Sequence, residues 1–241
     1  MVDAKNSEDV GLPLALVGDV GATHARFQLC AVACDDQSTQ PIGDPVILPT
    51  AGYTEADKML SDVMAALSSP DVVYGVIAVA GPLSRDGASI KVINTGLMFY
   101  QAVAEACLSA PVAFFNDFYA QAMAVPVADR LQQFGGGGVD HGVKALLGPG
   151  SGLGMATLLP GERGGAWRVL PSEGGHADLA PGSFLENELW AVLAQQHAHV
   201  SWETVLSGPG LGNLYQAMCS LWGSPPQTYS SEQITTLGKA V

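Results

Sequence analysis

A short apolar run, Val112 to Phe115, ends in Asn116 and Asp117 and passes directly into a helical pattern that reaches Val125. A strand that hands over to a helix at once belongs to a layered α/β sheet, and this order puts an amide and a carboxylate at the strand's C-terminal edge. Open α/β sheets bind ligands at that edge, so Asp117 is a candidate general base and Asn116 a candidate orienting group. Asn and Asp are also common helix N-caps, so capping stands beside catalysis for this pair. The helix ends or kinks near Val125, because Pro126 disfavours helical geometry in the residue before it.

Upstream, Leu14–Val17 is an apolar run and Gly18–Thr23 a turn of small residues. Ala25–Ala31 then alternates, with Ala25, Phe27, Leu29 and Ala31 on one face, so the whole reads as a β-hairpin. Glycines in such a turn let backbone approach a phosphate closely, Thr23 offers a hydroxyl, and Asp19 can hold Mg²⁺ through water. An ordinary Gly/Asp turn uses the same residues. A second strand-flanked turn follows Val143–Leu147, in GPGSGLGMATLL, where Gly148, Gly150, Gly152 and Gly154 alternate with small or apolar residues. Bare N–H groups there form a nest for anions, and two such turns weigh more than one.

Between the two turns lie a strand at Val46–Leu48, a helix over 53–67 with Thr54 and Asp57 spaced as a capping box, and strands at Val72–Ala80 and Ser89–Ile93. A helix at Gln101–Leu108 leads into Pro111, and Gly135–Gly138 reads as an exposed connection. Strand, helix, strand at this rhythm implies an α/β layer fold. Later, Ser183 and Glu186 form a capping box for a helix to about His197 with Leu185, Leu189, Val192 and Leu193 inward. Leu211, Leu214, Tyr215, Met218 and Leu221 form another helical face, and a further helix starts near Ser231.

Two loops carry further chemistry. PSEGGHADLAP puts Glu173 and His176 within reach of one small polar ligand, although its spacing is not that of a zinc site. Glu203 is a single acid in an apolar and small-residue segment, and sequence does not say whether it is buried against a partner. The 241 residues carry only ten Lys and Arg and a net charge of −13, which argues against nucleic acid. Any phosphates must then be held by backbone N–H groups, helix N-termini or a cation. The longest apolar runs fall short of the roughly eighteen residues of a membrane span, and the N-terminal residues lack a secretory apolar core, so a cytoplasmic protein is expected. Cys30, Cys34, Cys107 and Cys219 lack CxxC spacing and read as buried thiols.

Together, GDVGATHARF, FFNDFYAQA, LGPGSGLG, SEGGHADLAP and VLSGPGLGNLY resemble the bacterial glucokinase family, a branch of the hexokinase and actin-like ATPase superfamily. The resemblance implies an actin-like ATPase (ribonuclease H-like) fold of two α/β domains flanking a cleft. A tail at 1–12 would precede a first domain at 13–111 and a second, incomplete one at 112–241. It implies ATP-dependent phosphorylation of glucose at the 6-hydroxyl with Mg²⁺, no nucleic-acid or membrane partner, and a homodimer as in many family members. Asn116, Asp117, Glu173, His176 and Glu203 match the family's sugar-binding positions, with Asp117 as its base. Gly18, Asp19, Gly21, Ala22 and Thr23 match the first phosphate motif, and Gly150, Ser151 and Gly152 the second. Ala22 replaces a usual Gly, His24 a usual Asn or Ser, and INTGLMF around Asn94 departs from the family's sugar-side loop. The family's later adenosine-binding motif and terminal helix are not in this sequence, so a non-catalytic sugar-binding remnant or sensor is the alternative. For Asp117, a place at a helix start implies a favoured charged form and a modest base.

Overall fold

The computed structural model describes residues 12–32, 39–93, 95–128, 131–137, 141–162 and 165–238. Expectations for the N-terminal tail up to residue 11, for Cys34 and for Asn94 lie outside these residues. The chain divides into two compact units, Met1–Ala120 and Gln121–Val241.

The first unit is built on one twisted sheet. The hairpin forms as expected, with β1 (Leu14–Val20) and β2 (His24–Val32) antiparallel and β3 (Thr39–Pro49) added beyond β2. β4 (Tyr74–Val79) lies parallel on the other side of β1, and β7 (Val112–Asn116) lies parallel to β4. The order β3-β2-β1-β4-β7 is therefore an antiparallel meander extended by two parallel strands. Each parallel step needs a helical crossover, supplied by α1 (Ala56–Ala66) and α2 (Gln101–Leu108). The short hairpin β5 (Ser89–Lys91) and β6 (Met98–Tyr100) precedes α2.

Alternation decides which face is buried. Ala25, Phe27, Leu29 and Ala31, the face predicted for β2, are all buried, and Phe27 joins Leu16, Met59, Leu60, Ile77 and Phe99 in the core. Gly18 is required here, because a Cβ at that position would stand 2.6 Å from the Phe27 ring. β7 pairs with β4, so Asn116 and Asp117 close the first unit's sheet, and the division between units falls after α3 has begun (Asp117–Ala124) and later than the expected 111/112 boundary.

The second unit repeats the meander. β8 (Lys144–Pro149), β9 (Leu153–Leu159) and β10 (Arg168–Ser172) form an antiparallel sheet in the order β10-β9-β8. The α-helices α4 (Phe184–Leu193), α5 (Gly208–Leu221) and α6 (Ser231–Gly238) follow. Its helices bury a small cluster of Leu189, Leu193, Val200, Val205 and Ala217, and Leu153, Ala156, Leu158 and Val169 of the sheet are buried as well. The Ser183 cap forms, its hydroxyl accepting the Glu186 amide at 3.2 Å. Three details differ from expectation. α4 stops at Leu193 rather than near His197, and Leu185, expected inward, is exposed. The capping box at α1 is not formed, because the helix starts at Ala56 with Glu55 as its cap and Thr54 lies one residue too early.

Candidate functional site

In the first unit the chemistry gathers at the C-terminal ends of parallel strands. Asp19 is the penultimate residue of β1 rather than part of the turn, which spans only 21–23. The turn closes through the Gly21 amide donating to the His24 carbonyl at 3.0 Å. It is held from outside by Thr50, a fully buried residue whose hydroxyl donates to the Gly21 carbonyl at 2.8 Å and whose amide donates to the Thr23 carbonyl at 3.0 Å. Sequence reasoning missed Thr50, since nothing local marks a threonine after Pro49 as a support for a turn many residues away. Asp19 faces Arg26 across the β1–β2 pair at 3.8 Å, with both side chains mostly exposed.

At the end of β7, both ends of the Asn116 amide are hydrogen-bonded. Its Oδ1 accepts the Tyr119 amide at 3.1 Å, which caps α3. Its Nδ2 donates to the Gly81 carbonyl at 3.1 Å and to Asp117 Oδ1 at 3.0 Å, which fixes the carboxylate. The Phe118 amide also donates to Asp117 Oδ1, at 2.9 Å. Despite these bonds the Asp117 carboxyl is pushed above the ordinary aspartate range, first by burial and then by the negative charge of Asp19. The favoured charged form expected from the helix start is thus overturned, because desolvation outweighs the hydrogen bonds that favour the anion.

The second unit gathers the remaining three polar residues around the second turn. Glu173 and His176 bracket one turn of 3₁₀ helix, Gly174–His176, and the imidazole stands between two carboxylates. His176 Nε2 is 3.9 Å from Glu173 Oε2, and its Nδ1 is 3.9 Å from Glu203 Oε1. Glu203 is two-thirds covered and partnered: its Oε2 accepts the Leu153 amide at 2.8 Å. A Cβ on Gly152 would stand 2.4 Å from that same oxygen, so the turn at 150–152 lies directly against the carboxylate. The Gly208 amide, first in α5, donates to the Gly150 carbonyl at 2.8 Å, and Ser207 caps α5 by accepting the Gly210 amide at 2.9 Å.

The site residues therefore fall into two groups, each intact within its own unit: Asn116, Asp117 and the first turn in one, Glu173, His176, Glu203 and the second turn in the other. No cluster of three His, Cys, Asp or Glu side chains suited to a metal occurs among the described residues. No helix among them is long and apolar enough to cross a membrane. Cys30 and Cys219 are buried free thiols as expected, and Cys107 is partly covered.

A meander continued by parallel strands, with carboxylates at the strand ends beside a glycine-containing turn, is the actin-like ATPase fold seen in sugar kinases. The glucokinase family model matches residues 16–240. A glucokinase of Chromobacterium violaceum is 34% identical over 235 residues, covering 95% of this chain and 65% of that protein. One from Yersinia pestis is 38% identical over 229 residues, covering 92% and 67%. A crystal structure of glucokinase from an Antarctic psychrotroph superposes with a TM-score of 0.75 at 30% identity, over 94% of this chain and 70% of that one. A Balamuthia mandrillaris glucokinase solved in complex with glucose shares the fold, with a TM-score of 0.73 at 21% identity, over 94% and 68%. The chain belongs to the glucokinase family, and it spans about two thirds of the length of the relatives it matches.

Proposed function

We propose that the protein transfers the γ-phosphoryl group of ATP to the 6-hydroxyl of glucose. The observation that carries this reading is Asp117: a half-buried carboxyl with a raised pKa, oriented by Asn116 and close enough to Asp19 to feel its charge. A carboxylate whose pKa is raised takes a hydroxyl proton better than an ordinary aspartate does.

In this reading Asp117 accepts the proton of the 6-hydroxyl as its oxygen bonds to the γ-phosphorus, and the bond from that phosphorus to the β-bridging oxygen breaks, leaving ADP. Glu173, His176 and Glu203 hold the ring hydroxyls, which both donate and accept, and Asn116 keeps Asp117 aimed. The phosphates rest on backbone amides of the two turns, since cationic side chains are few. Asp19 is a fitting holder for Mg²⁺: one exposed carboxylate next to a phosphate turn suits a cation that keeps several waters and takes its other ligands from the nucleotide. When bound, the cation neutralises phosphate charge; the positioning falls to the side chains named above. A cytoplasmic homodimer completes the reading and is checked by light scattering on the purified chain.

Asp117→Asn tests the assignment. In an assay coupled to glucose 6-phosphate formation, turnover falls by about three orders of magnitude or more, while glucose affinity measured by calorimetry changes little. Turnover near that of the wild type in this variant would remove Asp117 from its role.

A further inference from the structure

We propose that Glu203 is a positioning residue that ties the shape of the second turn, 150–152, to the occupancy of the Glu173–His176 cluster. The identity of the two ligands rests on the kinase reading, whereas the latch itself rests on geometry alone.

The two oxygens of one carboxylate serve two places. Oε2 holds the Leu153 amide at 2.8 Å, at the residue where the turn becomes β9. Oε1 faces His176 Nδ1 at 3.9 Å, too far for a hydrogen bond, so acceptor capacity remains on that side. The imidazole's other nitrogen stands equally far, 3.9 Å, from Glu173, leaving a row of polar groups that direct bonds do not satisfy among themselves.

The main chain of Glu203 is fixed. Its amide donates to the Gly175 carbonyl at 2.9 Å, and its carbonyl accepts the Ser207 hydroxyl at 2.8 Å. Movement is therefore left to the side chain. The turn is fixed at one end, where the Gly150 carbonyl accepts the Gly208 amide at 2.8 Å, and governed by Glu203 at the other. A hydroxyl inserted beside His176 pulls Oε1, rotates the carboxylate and thereby shifts the Leu153 amide. Gly152 makes the coupling tight, since its backbone leaves no room between turn and carboxylate.

The test uses the full chain, ¹⁵N-labelled, with glucose and Mg²⁺-tripolyphosphate as probes. Without ligands, the Leu153 amide exchanges with solvent about tenfold or more faster in Glu203→Ala than in wild type at equal urea midpoint. In Glu203→Gln, whose amide oxygen still accepts, exchange stays within about threefold. Gly152→Ala, which pushes the carboxylate aside without altering it, reproduces the Glu203→Ala exchange and keeps the test available if that variant does not fold. In calorimetry glucose tightens tripolyphosphate binding in wild type, and tripolyphosphate tightens glucose by the same factor. His176→Ala weakens glucose alone, while Glu203→Ala weakens both ligands and removes the coupling. Unchanged Leu153 exchange in both Glu203→Ala and Gly152→Ala overturns the latch. Tripolyphosphate affinity equal in Glu203→Ala and His176→Ala overturns the coupling. A wild-type chain that binds neither probe while Leu153 exchange still follows Glu203 sinks the kinase reading and the coupling together, leaving the hydrogen bond alone.

Discussion

Asp117 shows how one residue trades stability for chemistry. Its carboxyl is raised by burial and by Asp19, so the protonated form is favoured in the folded chain relative to the unfolded one. The stability this contributes is fully present below the unfolded value of about 3.9 and is lost as pH rises through the folded value. Ionising the side chain in the folded chain is thus a net cost to folding. Asp117→Asn, inactive as a kinase, is expected to be at least as stable as wild type at pH 7, and the advantage to shrink as pH falls through the folded value toward about 4 and to change no further below it; urea midpoints across that range check it, and a variant less stable at pH 7 contradicts it. In the same way the acid limb of the wild-type kcat/KM profile should lie above that of an ordinary aspartate. The candidate residues were legible in sequence by type and by place at strand ends, but their states were not. Glu203 was undecided between surface and buried because its partner is a backbone amide fifty positions away, and Thr50 was invisible because its partners are carbonyls of a distant turn.

Elements read from sequence where local signals agreed and slipped where tertiary contacts decided. α2 spans the predicted Gln101–Leu108 and ends on Ser109 in the left-handed region, at φ 54°. That conformation is strained for a residue with a Cβ, so Ser109→Gly is expected to raise stability by about 0.5–1 kcal/mol, read as a higher urea midpoint with unchanged slope. The α5 start was not expected at Gly208, yet Ser207 caps it while also donating to the Glu203 carbonyl, a pairing that only the folded loop creates. On α4 the helical period was right and the facing partly wrong: Leu189 and Leu193 are buried, but Phe184 is 79% exposed and Leu185 44%. Periodicity marks an apolar stripe; what covers its edges depends on neighbours that a single helix cannot specify.

At the scale of the whole molecule, the α/β class followed from the alternation of strands and helices, whereas the strand order did not. Only the register shows that β4 enters in parallel between β1 and β7, which is what brings Asp19 and Asp117 to the same edge of the sheet, on strands separated by β4. The net charge of −13 acts on the molecule as a whole through self-repulsion, which salt screens. Raising NaCl from about 10 to 200 mM is expected to increase the urea midpoint of the chain, and a flat or falling response contradicts this. The two glycines fitted against their neighbours carry different risks. A methyl at Gly18 meets the Phe27 ring, deep among residues that hold the sheet together, whereas a methyl at Gly152 meets only the movable tip of a glutamate. Random mutation at the first position would therefore be noticed as protein that never accumulates, and at the second as protein recovered in full yield that has lost its response to sugar.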